Sequence, residues 1–394
     1  MADLDALLNR WQKAGVLDAE AARRIRAFEL ELTRPAGLGW QGMVALILGA
    51  IALACGVVLF VSAHWDDMGP GLRYALVIAM VAVFHLGGAW GREHFRGLST
   101  ALHAVGTVAT GAAIALVGQI FNIQEHWPAA ILLWAIAAAA GWALLQDEAQ
   151  QILTLLLFPA WILSEFSFAA ERHIGEDVYI GRFLIVWAVL YLTVFLGSKR
   201  KAVQGVLFAV AAIASLVGVV HLLQGWQSWG QQTFLPFGTR VWGWIDIAVL
   251  PLCFALVKLR KSLIPVAVAI VFSIALPWCQ RTWTQHFDYL TVHSSYVRYE
   301  PNLAAHALVA AFAVFIICWG VRQASKALVN LGIVGFALAV GWFYFSDILD
   351  KVNRSLGLIG LGILFLAGGW ALEKARRRLI ARMGQTNPST LEDK

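Results

Sequence analysis

Hydrophobic residues dominate the chain from about residue 40 onward, where they form long uninterrupted runs separated by short polar segments. Each run is close to the ~20 residues that an α-helix needs to cross ~30 Å of hydrocarbon. The runs therefore predict about twelve membrane-spanning helices. The predicted spans are 40–63, 71–90, 98–121, 127–145, 151–170, 179–197, 202–223, 241–257, 262–278, 302–320, 327–345 and 356–372.

The first thirty residues have a different pattern, in which apolar residues recur every three or four positions and arginines occupy the other face. Gly15 suits the end of a first helix, and Asp18 suits the N-cap of a second helix. This pattern predicts a helical hairpin over residues 1–36, which is too short to bury a core of its own. We expect it to lie on the membrane surface, on the rest of the chain or on a partner protein.

Composition agrees with a membrane protein, because only 14% of the residues are charged and the mean hydropathy is +0.70. Soluble domains carry about 25% charged residues. The net charge of +6 comes from basic residues in short segments between the apolar runs, so it indicates topology and no nucleic-acid partner is expected. Most of the 30 Lys and Arg residues fall on the cytoplasmic side if the span number is even and both termini are cytoplasmic.

The predicted fold is therefore all-α, a polytopic transmembrane helical bundle of about twelve spans with a short N-terminal cytoplasmic helical hairpin. Residues 1–36 form the hairpin, residues 37–373 form the transmembrane domain, and residues 374–394 form a basic cytoplasmic tail. Gly42, Gly49 and Gly56 stand seven apart in the first span. They predict a seam where another helix approaches closely.

Four short stretches carry a resemblance to a known family: residues 11–17, 60–66, 111–121 and 126–128. Together they resemble the bacterial membrane proteins of domain of unknown function 2157, over about the first 150 residues. The last span and its basic tail look like the end of a related uncharacterised membrane family. One position departs from the expected pattern, because His64 stands where asparagine would precede Trp65 and Asp66.

The resemblance implies a multi-span protein of the bacterial inner (plasma) membrane and supplies no activity. Relatives of this type are often encoded beside a small membrane-anchored protein, which points to a membrane complex. The expected partners are accordingly the lipid bilayer and a membrane or cytoplasmic protein that contacts the N-terminal hairpin.

Polar residues at the outer ends of the predicted spans are the candidate functional residues. An ionisable group at membrane depth costs at least ~2.5 kcal/mol on insertion scales, so it is usually paired or faces a polar cavity. Glu165 is the clearest case because it follows an apolar run within a span. The candidate outer-side cluster consists of His64, Trp65, Asp66, Asp67, Gln119, Asn122, His126, Glu165 and Asp246.

These residue types suit several roles. His64 with Asp66 or Asp67 could supply a base with its orienting carboxylate, or part of a metal site. Gln119 suits a hydrogen bond to a neighbouring helix, and Asp246 suits a helix terminus. Four further histidines lie in apolar spans, where interhelical hydrogen bonds would account for most of them. They are His85, His103, His221 and His306.

The remaining patterns favour no catalytic chemistry. The four cysteines have no metal-ligand spacing, and no phosphate-binding loop or nucleophile motif is present, so no metal or cofactor is expected. Two longer outer loops, 225–240 and 281–301, are rich in aromatic residues and suit the headgroup layer. The sequence therefore favours an accessory or structural subunit of a membrane complex. The alternatives are a transporter of a small or lipid-like solute that uses an outer-side polar cavity, and a membrane-embedded enzyme that acts at the outer face.

Overall fold

The structure of the protein is a computed structural model, and its contacts divide the chain into two compact units, Met1–Asn122 and Ile123–Lys394. The two units are described separately below. The described residues are 2–32, 68–92, 96–121, 126–170, 176–224, 235–258, 262–289 and 292–345, with single residues or short runs between 45 and 59 and between 359 and 377.

The first unit begins with two short helices, α1 (Ala2–Lys13) and α2 (Ala19–Leu32). Gly15 lies two residues after the end of α1 and has a φ of 68°, a conformation that glycine adopts without strain. The Asp18 carboxylate accepts a hydrogen bond from the Ala21 backbone N–H at 2.6 Å, so Asp18 is the N-cap of α2. Both predicted turn residues are thereby confirmed.

The second part of this unit is the helix pair α3 (Pro70–Gly91) and α4 (Arg96–Ile120). Each helix places a histidine over a glycine of the other. A Cβ on Gly88 would lie 2.9 Å from the His103 ring, and a Cβ on Gly106 would lie 2.8 Å from the His85 ring. The two imidazole Nδ1 atoms are 3.1 Å apart, so one of them donates a hydrogen bond to the other. The interhelical bonding predicted for these histidines is confirmed.

The second unit is built mainly of helices that pack as consecutive pairs. Its helices are α5 (Pro128–Leu145), α6 (Glu148–Ala170), α7 (Glu176–Gly197), α8 (Lys201–Gln224), α9 (Phe237–Trp244), α10 (Leu250–Lys258), α11 (Leu263–Ala275), α12 (Leu303–Arg322) and α13 (Lys326–Phe343). A π-helical segment, Ile245–Val249, joins α9 to α10, and a 3₁₀ turn, Leu276–Cys279, follows α11.

The described helices agree with the predicted spans to within a few residues. Among the described residues nine helices are long and apolar enough to cross a membrane, and Leu263–Cys279 is a shorter apolar helix. They correspond in order to the second through eleventh predicted spans. The first and twelfth predicted spans lie largely outside the described residues, so the number twelve and the orientation stay predictions.

The glycine seam predicted for the first span is not seen in the part that the structure describes. A Cβ on Gly49 or Gly56 would meet no described atom within 4 Å, and Gly42 lies outside the described residues. Close helix approach occurs instead between α7 and α8, where a Cβ on Gly181 would lie 3.1 Å from the Gly218 carbonyl oxygen. Such small-residue contacts let helix backbones approach in a membrane.

Helix α7 is the centre of the second unit. Eleven of its residues are buried, and it packs against α8, α11 and the π segment. The Tyr191 hydroxyl donates to the Leu155 carbonyl oxygen of α6, which ties the central helix to its neighbour. Side chains on α7 are therefore held in fixed positions by packing on several sides.

The two ends of this unit differ in their polar chemistry. At the end where α7 stops, the Arg200 guanidinium donates to the Gln146 carbonyl oxygen at 3.0 Å and to the Gln151 side chain at 3.1 Å. These bonds join the turn between α5 and α6 to the turn between α7 and α8. The opposite end, where α7 begins, holds the candidate residues His126 and Glu165 together with Arg182 of α7, and it is called the Arg182 end below.

One element differs from the predicted fold. Residues 280–301 form two antiparallel strands, β1 (Gln280–Tyr289) and β2 (Val292–Pro301), where the sequence predicts an irregular outer loop. Their register pairs Gln280 with Pro301 and Tyr289 with Val292. The helical fold class is confirmed, and this β-hairpin is an addition to the all-α prediction. Thr, Tyr, Val, Phe and Trp within these residues favour strand structure.

Candidate functional site

Four of the nine predicted outer-side residues lie in the part of the chain that the structure describes. They are Gln119, His126, Glu165 and Asp246. Gln119 belongs to the first unit, near the end of α4, and it is exposed. Five predicted residues lie outside the described residues: His64, Trp65, Asp66, Asp67 and Asn122. Their predicted role as an acid–base or metal group therefore stays a prediction.

Two of the predicted residues contact each other. His126 lies just before α5 and Glu165 lies near the end of α6, so the antiparallel packing of these helices brings them together. The His126 Nε2 atom is 2.8 Å from the Glu165 Oε2 atom. Phe168 meets the His126 ring edge-on, with ring centroids 4.8 Å apart. Glu165 thus has the partner that a carboxylate near membrane depth requires.

The pair is partly open to its surroundings, because 48% of the His126 side chain and 35% of the Glu165 side chain are exposed. We expect a coupling of at most about 1 kcal/mol between them, since solvent weakens exposed ion pairs. Thermal unfolding of His126→Ala, Glu165→Ala and the double variant, compared in a double-mutant cycle, measures this coupling. A coupling well above that value would mean that lipid or another molecule shields the pair from solvent.

Asp246 lies apart from this pair, in the π-helical segment between α9 and α10. Its backbone carbonyl accepts a hydrogen bond from the Trp187 indole N–H of α7 at 3.0 Å. No described residue donates a hydrogen bond to the half-buried Asp246 carboxylate. The structure thus places Asp246 within a span, at a local change of helix type, with a carboxylate that has no hydrogen-bond donor among the described residues.

Arg182, which is not among the residues predicted from the sequence, is the most conspicuous charged residue of this unit. It lies in the second turn of the central helix α7, within a segment long and apolar enough to span a membrane. Arginine stays charged in proteins, and inserting it at the centre of a span costs about 2.5–3.5 kcal/mol. A lone arginine in an apolar run was the available signal, but its neighbours could not be read from the sequence.

The Arg182 guanidinium is held by two aromatic rings and one carbonyl group. Its Cζ atom lies 5.3 Å from the centre of the Tyr179 ring and 5.0 Å from that of Trp244. The Nε–H donates to the Ser273 carbonyl oxygen of α11 at 3.3 Å. Each cation–π contact is worth about 0.5–2 kcal/mol, so together with the hydrogen bond they offset much of the insertion cost.

The aromatic rings are themselves fixed by packing. Phe166 stacks on Tyr179 with ring centroids 5.5 Å apart, and Tyr179 meets Trp244 nearly edge-on at 5.8 Å. Gly243 makes room for this arrangement, because a Cβ there would lie 2.5 Å from the Tyr179 ring. Arg182 with Tyr179, Trp244 and Ser273 is called the Arg182 site below.

A second polar contact at this end is explained by helix electrostatics. Asp177 lies in the first turn of α7 and His221 in the last turn of α8, with 3.7 Å between the Oδ1 and Nδ1 atoms. Acidic groups are favoured at helix N-termini and imidazolium groups at C-termini, so this contact stabilises both helix ends. It has a structural explanation and is not part of the Arg182 site.

Metal binding finds no support in the described residues, because they contain no group of three or more His, Cys, Asp and Glu side chains placed to hold an ion. The Arg182 site has the opposite chemistry, a fixed positive charge with aromatic walls. Such an arrangement suits an anionic or aromatic ligand.

Comparison with known proteins identifies the N-terminal part of the chain. Searches of the curated proteins and of the solved structures found no match. Residues 9–151 match the family described as "Predicted membrane protein (DUF2157)", which confirms the resemblance predicted for the first 150 residues. The resemblance of the C-terminal part to a related family stays a prediction, and the Arg182 site lies beyond the matched residues. The chain is therefore a multi-span membrane protein that is similar to DUF2157 over residues 9–151.

Proposed function

We propose that this protein transports a small solute across the membrane, using a site at the Arg182 end of its second unit. The observation that carries the proposal is the interruption of the span Phe237–Val257 by the π-helical segment that holds Asp246. Single π turns inside helices occur frequently at functional sites. Ionisable residues within spans usually mark the paths of substrates or ions.

The contacts of the π segment support this proposal. Trp244 directly precedes the segment and packs over the Arg182 guanidinium, while the Asp246 carbonyl accepts from Trp187. Both contacts come from α7, so the central helix positions a charged site and the irregular segment together. Irregular backbone at membrane depth is tolerated where it is buried in protein or lines a cavity. The predicted orientation would put this end at the outer face of the bacterial inner membrane.

Proteoliposomes containing the full chain would test the proposal. Concentration jumps of carboxylates, phosphate, amino acids, sugars and cations are applied in turn, and the transient current and the internal pH are recorded. We expect a response to one solute class that Asp246→Asn reduces strongly. Arg240→Gln is the matched control, because Arg240 is exposed at the same end and, among the described residues, its guanidinium has only the Phe237 ring as a partner, 6.0 Å from the ring centroid. Absence of a protein-dependent response to every class would contradict transport.

A second candidate function is that of an accessory subunit in a membrane complex. It is favoured by the first unit, where α1, α2 and their turn expose large apolar side chains: Trp11 is 38% exposed, Val16 74% and Phe28 63%. Exposed arginines lie on α2 as well, at positions 23, 24 and 26. An apolar and basic surface of this kind suits a partner protein or an anionic bilayer surface.

Photo-crosslinking in cells distinguishes a partner protein from an anionic bilayer surface as the group that contacts these helices. A photoreactive amino acid replaces Phe28 in the full chain, and the exposed Glu20 of the same helix serves as the control position. The accessory-subunit function predicts a discrete protein adduct from position 28 that position 20 does not give. Adducts with lipid alone would contradict it and would assign these helices to the membrane surface.

A further inference from the structure

The Arg182 guanidinium has hydrogen-bond donors that the protein does not use. Arginine carries five N–H groups, two on each Nη atom and one on Nε. Among the described residues only Ser273 accepts a hydrogen bond from Arg182, and it does so from Nε. The four N–H groups of the two Nη atoms have no described acceptor, and one N–H of each Nη points outward along the edge that joins them.

The described carboxylates at this end do not neutralise this charge. Glu165 contacts His126 at 2.8 Å, and the nearest recorded partner of Asp177 is His221 at 3.7 Å. Asp246 lies two residues after Trp244 but forms no ion pair with Arg182. Arg200, at the other end of the unit, shows the contrasting case, because both of its Nη atoms donate to protein oxygens.

The surroundings fix the guanidinium in one orientation. Tyr179 of the same helix and Trp244 of α9 lie over it, and the Nε bond to Ser273 of α11 restricts rotation about the end of the side chain. Ser273 is fully buried and lies in the last turn of α11, where a helix attracts positive charge. The protein thus contacts the guanidinium through Nε and through the faces of its plane. The Nη atoms remain available to donate hydrogen bonds to a ligand.

We propose that the Arg182 site binds an oxyanion, either the carboxylate or the phosphate group of its ligand. The planar fork of an arginine matches two oxygens of such a group, and paired N–H···O bonds of this kind are among the strongest in proteins. The two aromatic rings make the surroundings of the guanidinium less polar than water, which strengthens its attraction to a negative charge. The oxyanion belongs either to a soluble small molecule or to the headgroup of an anionic lipid.

This inference rests on the proposed function only in treating the bound oxyanion as cargo. Binding itself is independent of transport and is tested without it. If an oxyanion binds through Arg182 and no solute moves, the site is established and the transport function fails. If a solute is transported equally well by Arg182→Gln, the transport function is established and this inference fails.

The test uses the full chain in phosphatidylcholine nanodiscs and measures the midpoint temperature of thermal unfolding. In one arm, potassium phosphate or potassium succinate replaces potassium chloride at constant ionic strength. In the other arm, phosphatidylglycerol replaces part of the phosphatidylcholine. A ligand that binds the folded state raises the midpoint. Phosphate also stabilises proteins by exclusion from their surfaces, so the decisive quantity is the difference between wild type and Arg182→Gln.

We expect one arm to raise the midpoint of the wild type and of the control Arg240→Gln. In Arg182→Gln, the same arm should give only the smaller shift that does not depend on specific binding. A midpoint shift in the phosphate or succinate arm shows that the oxyanion belongs to a soluble molecule. A shift in the phosphatidylglycerol arm shows that it belongs to a lipid headgroup. Equal shifts in wild type and Arg182→Gln in both arms would overturn the proposal.

Arg182→Lys provides the test if the glutamine variant does not fold. Lysine keeps the positive charge beside Tyr179 and Trp244 but lacks the planar fork. Its dissociation constant for the responding ligand, obtained from titrations of the midpoint, is expected to rise roughly tenfold or more. An unchanged dissociation constant would refute binding by the guanidinium fork.

Discussion

Replacing Gly332 with alanine is expected to destabilise the protein by about 1–3 kcal/mol, the usual cost of inserting a methyl group into a tightly packed contact. A Cβ at this position of α13 would lie 2.6 Å from the Ile317 side chain and 2.9 Å from the Ala313 carbonyl oxygen. Two of the three nearest atoms belong to the α12 backbone, so side-chain rotation cannot relieve the contact. The two helices must move apart.

Gly335→Ala is the matched control in the same helix. A Cβ there would meet the Ala313 Cβ at 3.7 Å, an ordinary van der Waals distance. Because alanine favours helix by up to about 1 kcal/mol over glycine, this variant is expected to be neutral or slightly stabilising. Thermal unfolding of both purified variants by circular dichroism measures the difference. Equal midpoints would show that α12 and α13 do not cross as closely as described.

Gly243→Ala is expected to affect both stability and ligand binding. The added Cβ would lie 2.5 Å from Tyr179 Cδ1 and 2.9 Å from Phe166 Cε2. These rings stack on each other, and both are almost fully buried, so neither can turn away freely. We expect a loss of about 1–3 kcal/mol of stability, because the rings must shift. Since Tyr179 also covers the Arg182 guanidinium, oxyanion binding should weaken in the same variant.

Gly238→Ala separates this effect from a general effect of alanine in α9. No described atom lies within 4 Å of a Cβ at Gly238, so this variant should keep both the wild-type stability and the oxyanion response. The same nanodisc unfolding assay measures both quantities. A destabilised Gly243→Ala with unchanged oxyanion binding would mean that Tyr179 is not needed to position Arg182.

The spans could be predicted because the thickness of the hydrocarbon layer sets the length of each helix, independently of how the helices pack against one another. The site could be predicted only in part. Glu165 and His126 are each candidates as polar residues at span ends. They are 39 residues apart in sequence, and no sequence pattern predicts that they contact each other. Arg182 and Trp244 lie further apart in sequence, and their contact depends on how α7 packs against α9. The π turn at Asp246 leaves no mark in the local sequence.

The β-hairpin was missed for a different reason. Residues 280–289 contain the aromatic and β-branched residues that favour strands, and these were interpreted as a headgroup-layer loop because membrane proteins gather aromatics there. The sequence between the two strands, residues 290–291, is Leu-Thr and lacks the glycine or asparagine that typically signals a tight hairpin. Local composition therefore supported both interpretations.

The hairpin also indicates how deep the Arg182 site lies. A two-stranded sheet has unpaired edge N–H and C=O groups, which hydrocarbon cannot satisfy, so both strands must lie in water or among headgroups. We infer that the water boundary lies near the base of the strands, where the Asn302 N–H donates to the Cys279 carbonyl oxygen. Ser273 lies two short helical turns before Cys279, roughly 10 Å beneath that boundary. At this depth an anion can reach Arg182 from the aqueous side without crossing the centre of the bilayer.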